Sequence, residues 1–130
     1  IAAADDFFPA HRYFDIHLLD CCGYRPQLQH CVSCGKAILP EDQYFSYALG
    51  GVLCPACGYL HPAARPVSVR VLKYLRYYQG HSFQEAAAAG WPPDIRGETE
   101  SILTGYQSYL LERKTNSQQF LETMRSSDSH

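Results

Sequence analysis

The side chains with most chemistry to offer are six cysteines, and four of them are spaced for a metal ion. Cys31-Val32-Ser33-Cys34-Gly35 is echoed by Cys54-Pro55-Ala56-Cys57-Gly58, with nineteen residues between Cys34 and Cys54. Two thiolates separated by two residues reach one ion from a single tight turn, and Zn²⁺ needs two such turns to complete a tetrahedron. The pattern therefore predicts one structural Zn²⁺ held by Cys31, Cys34, Cys54 and Cys57. A glycine after each pair, Gly35 and Gly58, is expected to adopt positive φ, letting backbone N–H groups turn toward the sulfurs. A catalytic zinc keeps a position open for water, and four cysteines leave none. His30 and His61 flank the pairs and are expected to be surface residues. Cys21 and Cys22 are expected to be buried, unliganded thiols that behave as small apolar groups.

No other catalytic grouping accompanies the cysteines. The sequence contains no Gly-rich phosphate loop, nucleophile elbow or His-Glu-x-x-His pattern, so the expectation is a protein that is not an enzyme. A metalloenzyme or a thiol-redox domain is the alternative from another class. Net charge is −2, which excludes a broadly basic protein and places any nucleic-acid role on local patches. One such patch is present. No Asp or Glu lies between Gln43 and Gln84, whereas Arg65, Arg70, Lys73 and Arg76 do. Arg70, Lys73 and Tyr77 recur at helical spacing with Arg76 close by, a basic stripe with interleaved aromatics suited to phosphate contacts and base stacking. Arg113 and Lys114 form a second basic spot. The same surface could receive an acidic peptide tail.

These residues need elements to hold them. At 130 residues, 46% hydrophobic and 18% charged, the chain fits one globular domain with a real core. The expected fold is mainly α, a helical bundle-like domain with an inserted four-cysteine zinc ribbon or knuckle containing a short β-hairpin. Its domain is 1–130, with the zinc insert at 29–60. A first helix is expected over Asp5–Cys22, capped by Asp5 or Asp6, with Phe7, His11, Phe14, Leu18 and Cys22 as its buried face and Gly23 ending it. Between the cysteine pairs, Tyr44–Tyr47 and Val52–Leu53 read as strands around Gly50-Gly51. Beyond His61, Ser68 caps a helix to about Gln79 with Val71, Leu72, Leu75 and Tyr78 inward. Ser82 and Glu85 make a capping box for a short alanine helix closed by Gly90. Trp91-Pro92-Pro93 reads as a linker, and Asp94 as the cap of a helix burying Ile95, Ile102, Leu103, Tyr106 and Leu110 as far as Lys114. A last helix restarts at Asn116 or Ser117 with Phe120, Leu121 and Met124 apolar, and the tail from Arg125 to His130 is polar and frayed.

The paired knuckles, the adjacent Cys21-Cys22 and the absence of a signal peptide favour a reducing cytosol. No apolar run approaches a membrane span. The chain opens on Ile1-Ala2-Ala3-Ala4 rather than methionine, which reads as a piece of a longer protein.

The stretch Phe14-Asp15-Ile16-His17-Leu18-Leu19-Asp20-Cys21-Cys22-Gly23-Tyr24-Arg25-Pro26, followed by Leu28 and the first knuckle, resembles the RecO family of bacterial DNA repair and recombination proteins. So do Phe45-Ser46, then Gly50-Gly51-Val52-Leu53-Cys54-Pro55-Ala56-Cys57, and the closing Leu110-Leu111-Glu112-Arg113-Lys114 with Ser117. The resemblance implies a recombination mediator of the RecF–RecO–RecR pathway. Such a protein binds single- and double-stranded DNA, anneals strands and helps load RecA, with RecR and the acidic C-terminal tail of single-strand-binding protein as partners. It implies a cytoplasmic, nucleoid-associated location, and an N-terminal OB-fold domain that this sequence does not contain. On this reading Arg65, Arg70, Lys73, Arg76, Tyr77, Arg113 and Lys114 are candidates for contact with DNA or acidic peptide. The alternative within the resemblance is a pure protein-interaction module, docking RecR or the acidic tail without touching DNA.

Overall fold

The computed structural model describes residues 6–128, and side chains among them as far as Thr115. The first helix, α1 (Phe8–Cys21), starts where Pro9 can occupy a first-turn position that needs no hydrogen-bond donor. Phe7 is its N-cap, and Asp6 Oδ1 accepts a hydrogen bond from the Phe8 N–H at 3.3 Å. Asp5, the other expected cap, lies outside the described residues. The helix ends as expected at Gly23, with φ +83°. The Tyr24 N–H returns to Leu19 O at 2.8 Å and the Gly23 N–H to Asp20 O at 3.1 Å, satisfying carbonyls the last turn would leave bare.

The buried face of α1 is not the expected one. Ile16, Leu19 and Pro9 face the core, with Phe8 packed beside them. Phe7, His11, Phe14, Leu18 and Cys22 face solvent, and Phe14 is 64% exposed. Arg12 explains the difference, because it interrupts the true core face and masks its periodicity. Its guanidinium lies over the Phe8 ring at 5.1 Å and pairs with Asp15 at 2.9 Å, leaving the side chain only 13% exposed. Cys21 and Cys22 are likewise exposed, not buried.

Strand β1 (Gln43–Ser46) pairs antiparallel with β2 (Gly51–Leu53), placing Tyr44 opposite Leu53 and Phe45 opposite Val52. Gly50, φ +72°, lets the connecting turn close. A strand not anticipated from sequence, β3 (Arg65–Val67), pairs with the other edge of β1 and gives the order β2-β1-β3. Short helix α2 (Pro55–Tyr59) carries the second cysteine pair between them.

Helix α3 (Val69–Gly80) is capped by Ser68, whose Oγ accepts from the Val71 N–H, and it buries Val71, Leu72, Leu75 and Tyr78 as expected. The Ser82–Glu85 capping box is present on α4 (Phe83–Ala89), which Gly90 closes with φ +70°. Trp91 is a core residue rather than linker: it is buried against Phe8, Tyr74 and Tyr78, and its Nε1–H donates to Thr99 Oγ1 at 3.0 Å. A 3-10 turn (Pro93–Ile95) leads into α5 (Arg96–Asp128), which runs for 33 residues without the break expected at Asn116. The side chains of Phe120, Leu121 and Met124 lie outside the described ones. Helix α5 spans both halves of the core. At one end Thr99 accepts the Trp91 hydrogen bond, and further along Tyr106 packs edge-on to Phe45 of the sheet, with centroids 5.4 Å apart. The chain is predominantly helical with a small antiparallel sheet beside the cysteine cluster. Among the described residues no helix is long and apolar enough to cross a membrane.

Candidate metal centre and basic surface

Two turns bring the sulfurs together. In the first, the Gly35 N–H returns to Cys31 O at 2.9 Å, the Cys31 N–H reaches Lys36 O at 2.8 Å, and Gly35 takes φ +80°. In the second, Pro55 starts α2 directly after Cys54, so Cys57 comes round one helical turn later. Gly58 does not adopt the expected positive φ. It sits within α2, and a Cβ there would lie 2.2 Å from Tyr44 Cδ2, so the glycine is required by packing against the sheet.

The Sγ atoms of Cys31, Cys34, Cys54 and Cys57 all lie within 4.8 Å of one another, and Cys34 Sγ is 3.8 Å from Cys54 Sγ. Zn–S bonds of about 2.3 Å define a tetrahedron with edges of about 3.8 Å, so the cluster has the dimensions of a zinc site. Its electrostatics agree. Burial pushes the Cys31 thiol up, but N–H groups of Cys34, Cys54 and Ser33 outweigh it and bring it down to about 6. Cys57, hydrogen-bonded first to Cys54 and then to other sulfurs of the cluster, is pushed up to about 12. Four thiols this close cannot all ionise unless a cation compensates them. The four cysteines form a single structural Zn²⁺ site. His30 is exposed and His61 half-buried; the clustered group consists of cysteines alone.

The predicted basic residues meet different fates. Arg70 is exposed but forms a two-contact ion pair with Asp94, its Nη2 lying 3.4 Å from Asp94 Oδ1. Asp94 therefore serves an ion pair with a distant helix rather than the helix cap expected of it. Arg76 is half-buried: its Nε–H donates to Leu28 O at 2.8 Å, burial lowers its pKa, and Nη2 is buried without a partner. Tyr77 is half-buried and stacks on His81 with centroids 3.8 Å apart. Arg65 is exposed and reaches Ser101 Oγ at 3.4 Å. Lys73 is exposed and makes no hydrogen bond or ion pair among the described residues. Arg113 and Lys114 are exposed on α5. Lys114 lies thirteen positions beyond Ser101, the contact of Arg65, or roughly 20 Å along a helix, so the two basic spots are separate surfaces.

Sequence reasoning missed two features. The first is a set of carboxylates around the start of α3. Glu98 Oε2 accepts the Ser68 N–H at 2.7 Å, Asp42 Oδ1 accepts the Val69 N–H at 3.0 Å, and Asp94 holds Arg70. The stretch empty of acids in sequence is not empty of them in space. The second is a mainly apolar groove of about 750 Å³ between the end of α1 and α5, lined by Leu18, Cys22, Tyr24, Leu110 and Leu111 with Asp15, Gln107 and Lys114 among its walls. Its signal in the sequence is the apolar periodicity of α1, which is the same signal a core face gives.

Fold and site together define a helical domain stapled to a small sheet by a four-cysteine zinc centre. The chain belongs to the family described as "Recombination protein O C terminal", which matches residues 1–119. It is 40% identical over 114 residues to the DNA repair protein RecO of Roseiflexus sp. (strain RS-1), covering 88% of this chain and 40% of that protein. It is 33% identical over 117 residues to the DNA repair protein RecO of Dehalococcoides mccartyi (strain CBDB1), covering 90% and 46%. The RecO of Symbiobacterium thermophilum is 31% identical over 120 residues, covering 91% and 47%. The chain thus spans less than half the length of these curated relatives. No solved structure gave a significant match.

Proposed function

We propose that this chain is a non-catalytic DNA repair and recombination mediator module of the RecF–RecO–RecR pathway, contacting DNA through its exposed cations while zinc holds the fold. The observation that carries this reading is the family match over residues 1–119 with all four zinc ligands in place. Lys73 and Arg65 are the strongest contacts, because both are exposed and neither is held in an ion pair. Arg70 contributes after release from Asp94. Phosphate binding by such residues gives affinity that falls with salt. The test is fluorescence anisotropy of a labelled single strand and a labelled duplex across a salt series. Binding should weaken in the Arg65→Ala/Lys73→Ala double variant, with a shallower salt slope. Unchanged affinity and slope would take these cations out of the DNA surface.

One observation favours a second reading, a protein-docking module. The groove between α1 and α5 is mainly apolar and carries Lys114, with Arg113 beside it in sequence, and the one carboxylate in its lining, Asp15, is already paired with Arg12. That combination suits a short peptide with apolar side chains and an acidic end, such as the tail of single-strand-binding protein. A labelled acidic peptide should bind the wild type and lose affinity with Lys114→Glu, while DNA affinity remains. RecR is the other partner of this reading, and a pull-down with purified RecR tests it.

A further inference from the structure

The first turn of α3 is occupied by this chain's own carboxylates. Two of the three are fixed to the backbone, Glu98 on the Ser68 N–H and Asp42 on the Val69 N–H. The third, Asp94, pairs with the Arg70 side chain rather than with the α3 backbone. Both members of that pair are exposed, Arg70 at 51% and Asp94 at 62% of their side-chain surfaces. The planar guanidinium fork of Arg70 matches a carboxylate and a phosphate through the same two-contact geometry. Asp94 therefore stands where a phosphate oxygen pair would stand. An exposed ion pair contributes little to stability and is readily exchanged for another anion.

We infer that Asp94 is an intramolecular competitor for nucleic-acid phosphate at Arg70, an autoinhibitory contact that the DNA backbone must displace. This rests on the DNA-binding reading above. Asp94 has two effects on an incoming strand. It occupies the one arginine at the start of the basic helix, and its charge repels phosphate approaching Lys73 one turn further along. Removing the charge frees one cation and removes one repulsion. Glu98 and Asp42 remain on their backbone partners throughout, so the helix start does not depend on Asp94.

The experiment compares the zinc-loaded 130-residue protein with its Asp94→Asn, Arg70→Ala, Lys73→Ala and Arg70→Ala/Asp94→Asn variants. The readout is anisotropy of a fluorescein-labelled oligothymidylate strand over a sodium chloride series. Asp94→Asn should tighten binding at low salt, on the order of threefold or more, with the salt slope little changed, because Arg70 meets phosphate in both complexes and only the competition is lifted. The double variant should lose that gain. Equal zinc content and melting temperature in Asp94→Asn exclude a change of fold as the cause. Wild-type binding that Lys73→Ala weakens but Asp94→Asn leaves unchanged would overturn this inference and leave the DNA reading standing. Absence of binding by every variant, Asp94→Asn included, would remove both.

Discussion

Arg76 shows how far a residue's type can mislead about its work. By sequence it belongs with Arg70 and Lys73 on a basic stripe; in the fold it is a tie between α3 and the strand-like lead-in to the first knuckle, through Leu28 O. Gln79 repeats the tie one turn on, donating to Pro26 O at 3.0 Å. Arg76→Ala should destabilise the protein by about 1–3 kcal/mol through the lost bond and the bared carbonyl, whereas Lys73→Ala should stay within about 0.5 kcal/mol. Urea unfolding of the two variants checks this, and equal midpoints would return Arg76 to the surface. Tyr78 offers a second test. Its buried hydroxyl donates to Gly90 O at 2.8 Å, and burial pushes its pKa from 10.0 up to about 12. The folded state keeps the phenol neutral while the unfolded chain ionises it. The stability it contributes is therefore full below pH 10 and is lost as pH rises toward 12. Denaturant midpoints between pH 9 and 12 should fall less steeply in Tyr78→Phe than in the wild type.

At the scale of elements, what was legible in sequence was what is locally determined. Ser68 and the Ser82–Glu85 box mark helix starts by bonds within one turn, and Gly23 and Gly90 mark ends by a backbone angle few other residues adopt. The cysteine cluster was legible for the same reason, since the metal's geometry writes itself into the spacing. What was not legible depends on distant partners. Strand β3 is three residues containing Pro66, a weak strand signal alone, and it exists because β1 offers it an edge. Asp94 looked like a cap because its partner, Arg70, lies on another helix. On α1 the core face carries an arginine that Asp15 neutralises and Phe8 covers, while Phe14 and Leu18 put large apolar side chains on the solvent face. Periodicity alone selects the wrong one. This predicts an asymmetry: Ile16→Ala should cost about 2–5 kcal/mol as a core truncation, and Phe14→Ser should change stability by no more than about 0.5 kcal/mol. Thermal melts of both variants measure it, and a large loss in Phe14→Ser would place the buried face where the sequence suggested.

For the whole molecule, the zinc centre matters because of what it fastens. Its first turn continues the segment that Arg76 and Gln79 hold against α3, and its second opens directly from β2. The sheet in turn meets α5 through Phe45, Tyr47 and Tyr106, and Gly105 leaves room for the Tyr47 ring, since a Cβ there would lie 2.2 Å from its hydroxyl. The helices, by contrast, share the aromatic contacts of Trp91 with Phe8, Tyr74 and Tyr78, none of them a metal ligand. Metal removal should therefore act unevenly. Chelation at neutral pH, or acidification that protonates the thiolates, should abolish the near-ultraviolet circular dichroism of the tyrosines at the sheet–α5 junction. It should also open residues 29–60 to protease while much of the far-ultraviolet helix signal persists. Readdition of one equivalent of Zn²⁺ at neutral pH should restore both. Replacing Cys34, the exposed ligand, by serine should reproduce the metal-free behaviour in part, and Cys31→Ser, at the buried ligand, in full. A metal-free protein that keeps its tyrosine signal and its protease resistance would show that the sheet stands without the ion, and the staple would then have to be sought in the aromatic contacts with α5.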